Sequence, residues 1–131
     1  MLLPMAGCTV RAGFPSPAED WAQERIDLNK LLVQRSACTF IWQARGQSMR
    51  EAGIDDGDLL VVDRYINAKH HDIVVAVVEG EYTIKRLYKH QGRIELRPEN
   101  PAYSPIIFND GVELLVWGVV VGVVRRYSSR G

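Results

Sequence analysis

The amino-acid sequence predicts a mostly β domain of short antiparallel strands that follows a flexible N-terminal arm. After Gln34, β-branched and aromatic residues dominate short segments that Gly, Asn and Asp residues separate, and the chain of 131 residues contains 15 valines. Prolines and glycines are concentrated in the first 19 residues, where they leave no segment long enough to begin a helix or a strand. We therefore expect an arm over residues 1–35 and a β-rich domain over residues 36–131.

The elements are predicted in chain order from the spacing of apolar residues. Between residues 21 and 32 this spacing fits only one or two turns of marginal helix. Seven strands are then expected, at residues 38–45, 58–63, 72–78, 82–88, 93–97, 104–108 and 113–126. A chain of this length and apolar content can bury a single core.

The Glu79-Gly80 pair predicts a tight turn between two of these strands, and therefore an antiparallel hairpin. On the second strand of the hairpin, the two-residue period places Thr83, Lys85 and Leu87 on one face. The opposite face carries Tyr82, Ile84, Arg86 and Tyr88. Lys85 is therefore expected to share its face with an apolar side chain.

Charge and cysteine content limit the classes of protein to which the chain can belong. Sixteen Lys+Arg residues balance 16 Asp+Glu residues, which argues against binding to nucleic acid or anionic lipid through bulk positive charge. Cys8 and Cys38 lack metal-ligand spacing and fit a reducing cytosol. The most apolar run, residues 112–124, is shorter than the roughly 20 apolar residues of a membrane-spanning helix. We therefore expect a cytoplasmic protein without a membrane partner.

Ser48 and Lys85 are the residues with the clearest chemical meaning. Ser48 follows Gly46 and Gln47 where a strand ends, and Lys85 lies 37 residues later in the hairpin. A serine hydroxyl is a weak nucleophile at neutral pH, and a neutral lysine amine can activate it if burial has lowered the lysine pKa. Neutralising a lysine of ordinary pKa at pH 7 costs roughly 4.6 kcal/mol, so such a base must be buried among apolar groups. Alternatively, Lys85 extends into water from an edge strand and Ser48 is an ordinary turn residue.

Further motifs, together with this pair, carry a family resemblance. They are Phe14-Pro15-Ser16-Pro17, Gly46-Gln47-Ser48-Met49, Tyr82-Thr83-Ile84-Lys85-Arg86-Leu87 and Asn100-Pro101-Ala102-Tyr103-Ser104-Pro105. With them the chain resembles UmuD-type proteins of the LexA-like serine peptidase family, over about residues 12 to 127. The resemblance implies a LexA/signal-peptidase-like β-rich fold. It also implies a self-cleaving accessory subunit of a bacterial error-prone DNA polymerase.

The resemblance implies specific roles for residues of the Gly46-Gln47-Ser48-Met49 motif and for Lys85. Ser48 is expected to attack a peptide bond in the arm of the chain itself, while Lys85 takes and then returns the proton. The backbone N–H groups of Gln47 and Ser48 are expected to form the oxyanion site. Many relatives carry an acidic residue where this chain has Gln47, and this departure removes neither the nucleophile nor the base.

The resemblance also implies where the chain is cut. In such proteins the cleaved bond follows a small residue and precedes glycine, and Ala12-Gly13 supplies that pattern. Small residues fit because the bond must lie extended in a narrow cleft, and the covalent tether gives the arm a high effective concentration. Without the resemblance, Ala12-Gly13 is ordinary linker composition.

The expected partners come from the same resemblance. A RecA filament on single-stranded DNA is expected to act as coprotease by favouring the bound conformation of the arm. The shortened product is expected to form a homodimer and to join a UmuC-type Y-family DNA polymerase for synthesis past lesions in the SOS response. No cofactor, no metal ion and no sequence-specific DNA contact are expected.

Three other classes of protein share parts of this pattern. A LexA-type repressor has the same peptidase chemistry but needs a helix-turn-helix, and only 12 residues precede Gly13. A signal peptidase also uses Ser/Lys catalysis but needs an apolar membrane segment. A non-catalytic β-rich adaptor that binds a polymerase or RecA is the alternative that Gln47 leaves open. Self-cleavage would distinguish the peptidase from the adaptor.

Three remaining clusters are interpreted as turn, loop or tail residues without a binding site; the histidines and the tail are expected to be solvated. The acidic residues within 55–58 lack the calcium-loop pattern and fit turn chemistry. His70 and His71 are adjacent, so on a strand they would point to opposite faces and could not share a metal ion. The basic tail that includes Arg125 and Arg126 is assigned no site.

Overall fold

The computed structural model of the protein describes residues 2–6, 12–13, 22–108 and 114–128. The chain divides into two compact units, Met1–Gln34 and Arg35–Gly131, and each has its own secondary structure. Trp21 and Glu113, the first residues of the predicted helix and of the last predicted strand, lie outside the described residues.

The N-terminal unit contains a two-stranded ribbon and a short helix. Strand β1, Leu2–Ala6, pairs antiparallel with strand β2, Ala22–Asp27, and helix α1 occupies Leu28–Leu32. The prediction that the first 19 residues contain no strand is therefore wrong for β1. Pro4 is tolerated there because each strand of a two-stranded ribbon has an edge that needs no ladder hydrogen bond.

Helix α1 confirms the prediction of a short helix but occupies only the end of the predicted segment, because β2 precedes it. The Asp27 carboxylate accepts a hydrogen bond from the backbone N–H of Asn29 at 2.9 Å and so caps the first turn. The helix has five residues, which is little more than one turn. Within the described ranges, no helix is long and apolar enough to cross a membrane.

The C-terminal unit is built on one antiparallel sheet, which confirms the mostly β fold class. Its strands are β3 Thr39–Gln43, β4 Leu59–Asp63, β5 Ile73–Val78, β6 Glu81–His90, β7 Arg93–Arg97, β8 Ile106–Phe108 and β9 Leu115–Val124. The strand order is β3-β4-β9-β5-β6-β7-β8. Two one-turn 3-10 helices, Ser36–Cys38 and Arg50–Ala52, lie before and after β3. The predicted strands are all present, with ends that differ by one or a few residues.

The hairpin predicted at Glu79-Gly80 is confirmed. Strands β5 and β6 pair antiparallel up to Val78 and Glu81, which lie opposite each other beside the turn. Both turn residues have positive φ, 50° at Glu79 and 80° at Gly80. Two positive φ values characterise the two-residue turn whose twist matches that of the flanking strands.

Strand β9 joins the two halves of the sheet. It pairs with β4 on one side and with β5 on the other, so that β3 and β4 are separated from β5 and β6 by β9. Gly118 permits this close packing, because a Cβ there would lie only 2.6 Å from Cγ1 of Val62 on β4. The last of these strands in sequence therefore lies inside the sheet, third of seven, rather than at an edge.

Two groups of buried apolar residues pack against the sheet. The first, the Met49 cluster, consists of Ala44, Met49, Ile54, Leu60, Val62 and Val75. The second, the Leu96 cluster, consists of Val74, Ala76, Leu87, Leu96 and Val119. Successive residues of β5 alternate between the two clusters, as expected for side chains on opposite faces of a strand.

Candidate active site

Ser48 lies in the loop between β3 and β4, which backbone hydrogen bonds close at its base. The Ala44 N–H donates to the Asp58 carbonyl at 2.8 Å. Gly46 has a φ of 86°, in the left-handed region that favours glycine, and its N–H donates to a carboxylate oxygen of Asp56 at 2.7 Å. The residues that precede Ser48 therefore have a defined conformation without any bound molecule.

Arg125, which directly follows β9, holds one side of this loop. Its guanidinium donates to both carboxylate oxygens of Asp58, at 2.6 and 2.5 Å, and to the Gly53 carbonyl at 2.9 Å. The hydrogen bonds from Arg125 hold the pKa of the buried Asp58 carboxyl below its usual range. The expectation that Arg125 belongs to a solvated tail is therefore wrong, because a buried carboxylate needs a cationic partner.

Glu99 and Asn100 hold the other side of the loop. The Glu99 N–H donates to the Ser48 carbonyl, and Nδ2 of Asn100 donates to the Gln47 carbonyl, each at 2.8 Å. The Gln47 carbonyl and the Ser48 N–H belong to one planar peptide and point in opposite directions, so fixing one fixes the other. In the part of the chain that the structure describes, neither the Gln47 N–H nor the Ser48 N–H has an acceptor. Both groups are available as donors.

The side chain of Lys85 on β6 contacts Ser48. Its Nζ atom lies 3.0 Å from Oγ of Ser48, 2.7 Å from Oγ1 of Thr83 and 3.0 Å from the Ile84 carbonyl oxygen. The contact between Thr83 and Lys85 confirms that these residues share a face of β6. Ser48 and Lys85, far apart in sequence, are thus brought within hydrogen-bond distance.

The surroundings of Lys85 favour its neutral amine. The side chain is half-buried, and this desolvation lowers the pKa of Lys85 below the ordinary lysine value. A neutral amine has two N–H donors and one lone pair, and the Thr83 hydroxyl and the Ile84 carbonyl can accept the two donors. The lone pair is then directed to the Ser48 hydroxyl, which is the arrangement that a general base requires.

A cleft of about 270 Å³ opens beside the Ser48 and Lys85 side chains. It is lined by Trp42, Gln43, Ala44, Arg45, Gly46, Ser48, Met49, Ile54, Tyr82, Thr83, Ile84 and Lys85. The rings of Trp42 and Tyr82 pack with their centroids 4.8 Å apart and form an aromatic wall. The volume lies below the roughly 300–1,000 Å³ of typical small-molecule pockets. A segment with small side chains suits such a cleft.

Ala12 and Gly13 belong to the N-terminal unit, and both residues are exposed. Gly13 has no positive φ, and a Cβ added to it would meet no described atom within 4 Å. Neither backbone conformation nor packing against the described residues therefore requires glycine at this position.

His70 and His71 lie in a turn rather than on a strand, as the loop interpretation predicts. Their rings do not point in opposite directions, because His71 has a φ of 77° and the two ring centroids are 3.7 Å apart. Their nearest aromatic neighbour is Tyr88 on β6. They lie outside the lining of the Ser48 cleft.

Comparison with known proteins assigns the chain to a family. Residues 4–121 match the model of the Peptidase S24-like family, and the chain belongs to that family. Protein ImpA of Salmonella typhimurium is 42% identical over 131 residues, which cover 94% of this chain and 83% of ImpA. Protein SamA of Salmonella typhimurium is 45% identical over 118 residues, covering 90% of this chain and 81% of SamA.

A third relative is the LexA repressor of Bordetella petrii, which is 42% identical over 128 residues, covering 98% of this chain and 56% of the repressor. These relationships confirm the resemblance to UmuD-type, LexA-like proteins that the motifs indicate. The Peptidase S24-like family is one of autoproteolytic serine peptidases, and the chain is a LexA-like protein of this kind.

Sequence reasoning placed Thr83 on the same face as Lys85 through their two-residue spacing, but it did not identify the Thr83 hydroxyl as a hydrogen-bond partner of Nζ. It did not place Glu99 or Arg125 at the site. Glu99 and Arg125 carry no such signal. Their contacts with Ser48 and Asp58 join segments that are distant in sequence, and the pattern of neither segment indicates the other.

Proposed function

We propose that the protein is a self-cleaving serine peptidase in which Ser48 is the nucleophile, Lys85 is the general base and the Ala12–Gly13 bond is cut. The observation that carries the proposal is the 3.0 Å contact between Nζ of Lys85 and Oγ of Ser48 at a half-buried site. The lowered pKa of Lys85 and the membership of a peptidase family support it.

In the first half of the reaction, the neutral amine of Lys85 takes the hydroxyl proton of Ser48 while Oγ attacks the carbonyl carbon of Ala12. The N–H groups of Gln47 and Ser48 donate to the oxyanion that forms. The Lys85 ammonium then gives its proton to the amide nitrogen of Gly13, and the C–N bond breaks. The products are an ester between Ala12 and Ser48 and a new N terminus at Gly13.

In the second half, a water molecule attacks the ester. Lys85, neutral again, takes a proton from the water as its oxygen bonds to the ester carbon. The proton then passes to Oγ of Ser48 as the ester bond breaks. The net change is hydrolysis of one peptide bond, and both side chains return to their starting protonation states.

The proposed base sets the pH dependence of the reaction. Only the neutral amine of Lys85 can accept the proton, so the rate rises with pH until this amine is fully deprotonated. Because burial lowers the pKa of Lys85, the rise is expected to be complete at a lower pH than for an ordinary lysine of pKa about 10.4.

The test is a time course of intact mass between pH 6 and pH 10 for the parent protein, Ser48→Ala and Lys85→Ala. We expect the parent to split between Ala12 and Gly13. Ser48→Ala should stay whole, and Lys85→Ala should be slower by about 10²–10⁴-fold. Lys89→Ala is the matched control, because Lys89 lies on the same strand with an exposed side chain. It should cleave at the parental rate.

A parent protein that stays whole at every pH, alone and with a RecA filament, would contradict the proposal. The chain would then fit the adaptor class instead. Cleavage of Ser48→Ala at the parental rate would show that another residue is the nucleophile.

The proposed wider role is that of an accessory subunit of an error-prone polymerase in the SOS response. Its support is the UmuD-type motif set and similarity to ImpA and SamA over most of both chains. A RecA filament on single-stranded DNA should accelerate cleavage. The product should sediment as a homodimer and co-purify with a UmuC-type Y-family polymerase. A cleavage rate unchanged by the filament would contradict the RecA step, and a monomeric product would contradict the dimer.

A further inference from the structure

We propose that Glu99 is a positioning residue that fastens the loop carrying Ser48 to the strand carrying Lys85. The inference rests on the proposed function, because it concerns the geometry of the same Ser/Lys pair. It adds a residue that touches neither the cleaved bond nor the reacting atoms.

The backbone of Glu99 is bonded to the Ser48 loop at two points. Its N–H donates to the Ser48 carbonyl at 2.8 Å, and its carbonyl accepts from the Glu51 N–H at 2.8 Å. The next side chain, Asn100, bonds the Gln47 carbonyl. Three hydrogen bonds therefore join the segment around Glu99 to the loop.

The side chain of Glu99 is bonded to the strand that carries the base. Its carboxylate accepts a hydrogen bond from Nε of Arg86, the residue that follows Lys85 on β6. Both side chains are largely covered, with exposed fractions of 27% for Glu99 and 26% for Arg86. Nη1 of Arg86 also donates to the His71 carbonyl at 2.6 Å, and this second hydrogen bond limits how far the guanidinium can shift.

The sheet alone does not fix the distance between Ser48 and Lys85. The Ser48 loop connects β3 and β4, whereas Lys85 lies on β6. Strands β9 and β5 lie between β4 and β6 in the sheet. A small change in the twist of the sheet would therefore change the 3.0 Å contact. A misplacement of about 1 Å can cost 10²-fold in rate. A hydrogen bond that links the segment beside the Ser48 loop directly to β6 therefore has a large effect on catalysis.

The inference is tested with a thiol in place of the Ser48 hydroxyl. In Ser48→Cys, a nearby Lys85 ammonium lowers the pKa of the introduced thiol. The pH dependence of alkylation by iodoacetamide, followed by mass spectrometry of the peptide containing position 48, reports that pKa. This readout depends on the distance between the two groups and requires no self-cleavage.

Adding Glu99→Ala to the Ser48→Cys protein should raise the thiol pKa, so that alkylation at pH 7 slows several-fold. In the protein that retains Ser48, Glu99→Ala should slow self-cleavage about tenfold. Glu99→Gln keeps an oxygen acceptor for Arg86 and should recover part of both effects. The matched control is Glu95→Ala, because Glu95 forms an ion pair with Arg97 at 2.8 Å on β7 without bonding the loop.

Three results would overturn the inference, and they have different meanings. If Glu99→Ala leaves the alkylation profile unchanged while Lys85→Ala shifts it, the pair is close but Glu99 does not position it. If Lys85→Ala also leaves the profile unchanged, the proposed Ser/Lys pair is itself contradicted. Equal effects of Glu95→Ala and Glu99→Ala would assign the change to general stability, and thermal midpoints measured on each variant would identify that case.

Discussion

The two buried clusters of the C-terminal unit share strand β5 but have different relations to the candidate active site. Three members of the Met49 cluster, Ala44, Met49 and Ile54, line the cleft beside Ser48. Among the described residues, no member of the Leu96 cluster lines it. One side of the core therefore supports both the fold and the site, whereas the other side supports the fold alone.

The largest effect that would test this difference comes from truncating one side chain in each cluster. Met49→Ala and Leu96→Ala both remove a fully packed side chain, and each should lower the free energy of unfolding by about 2–5 kcal/mol. Urea unfolding gives these values. The rate of self-cleavage per folded molecule should fall several-fold for Met49→Ala only, because Met49 follows Ser48 in the loop and its side chain lines the cleft. Equal rate losses in the two variants would contradict the separation of the clusters.

A smaller effect is expected inside the site, at the hydroxyl that contacts Lys85. Thr83→Val keeps the shape of the side chain but removes the acceptor 2.7 Å from Nζ of Lys85. Lys85 becomes an ammonium as it takes the Ser48 proton, and a hydrogen bond to a charged group contributes about 1.5–3 kcal/mol. Cleavage should therefore slow by about tenfold or more. Thr83→Ser should retain most of the rate.

The matched control for Thr83 is Thr39→Val. The Thr39 hydroxyl also makes a hydrogen bond, to the Arg35 carbonyl at 2.6 Å, but Thr39 is outside the cleft. Its loss should affect the thermal midpoint without changing the rate per folded molecule. A similar loss of rate in both variants would argue against a specific role for Thr83.

The smallest effect is a gain in stability when the buried amine is removed. Because the pKa of Lys85 is lowered in the folded state, protonation is less favourable there than in the unfolded chain. This cost is fully present below the folded pKa and disappears as pH rises through the unfolded value. Lys85→Met should therefore stabilise the protein at pH 7, and by less than either cluster truncation destabilises it, because solvent screens the charge of a half-exposed group. Urea unfolding of the parent and of Lys85→Met measures the gain. It should be present at pH 7 and absent above pH 10.5, the ordinary lysine pKa.

The sequence was sufficient to predict the strands of the C-terminal unit, the β5–β6 hairpin and the pairing of Thr83 with Lys85 on one face. These features follow from local rules, since strand alternation and turn chemistry act over a few residues. The family motifs indicated Ser48 and Lys85, which the structure brings within 3.0 Å. Their roles stay predictions until cleavage is measured.

The strand order and the hydrogen bonds that hold the Ser48 loop in place could not be predicted from local rules. The position of β9 inside the sheet depends on pairings with β4 and β5 that periodicity does not specify. Arg125 was assigned to a solvated tail because nothing in its own segment indicates the buried Asp58, 67 residues away. Strand β1 was missed for the opposite reason, since the local signal from Pro4 argued against a strand that a two-stranded ribbon tolerates.

The position of β9 between β4 and β5 has a consequence for newly made protein. The segment carrying Ser48 and the segment carrying Lys85 leave the ribosome well before Leu115–Val124, yet they are separated in the sheet by that strand. Arg125, which fixes Asp58 in the Ser48 loop, follows immediately after it. A growing chain therefore contains Ser48 and Lys85 before it contains β9 and Arg125. The contact between the two side chains can form only after most of the C-terminal unit has been synthesised.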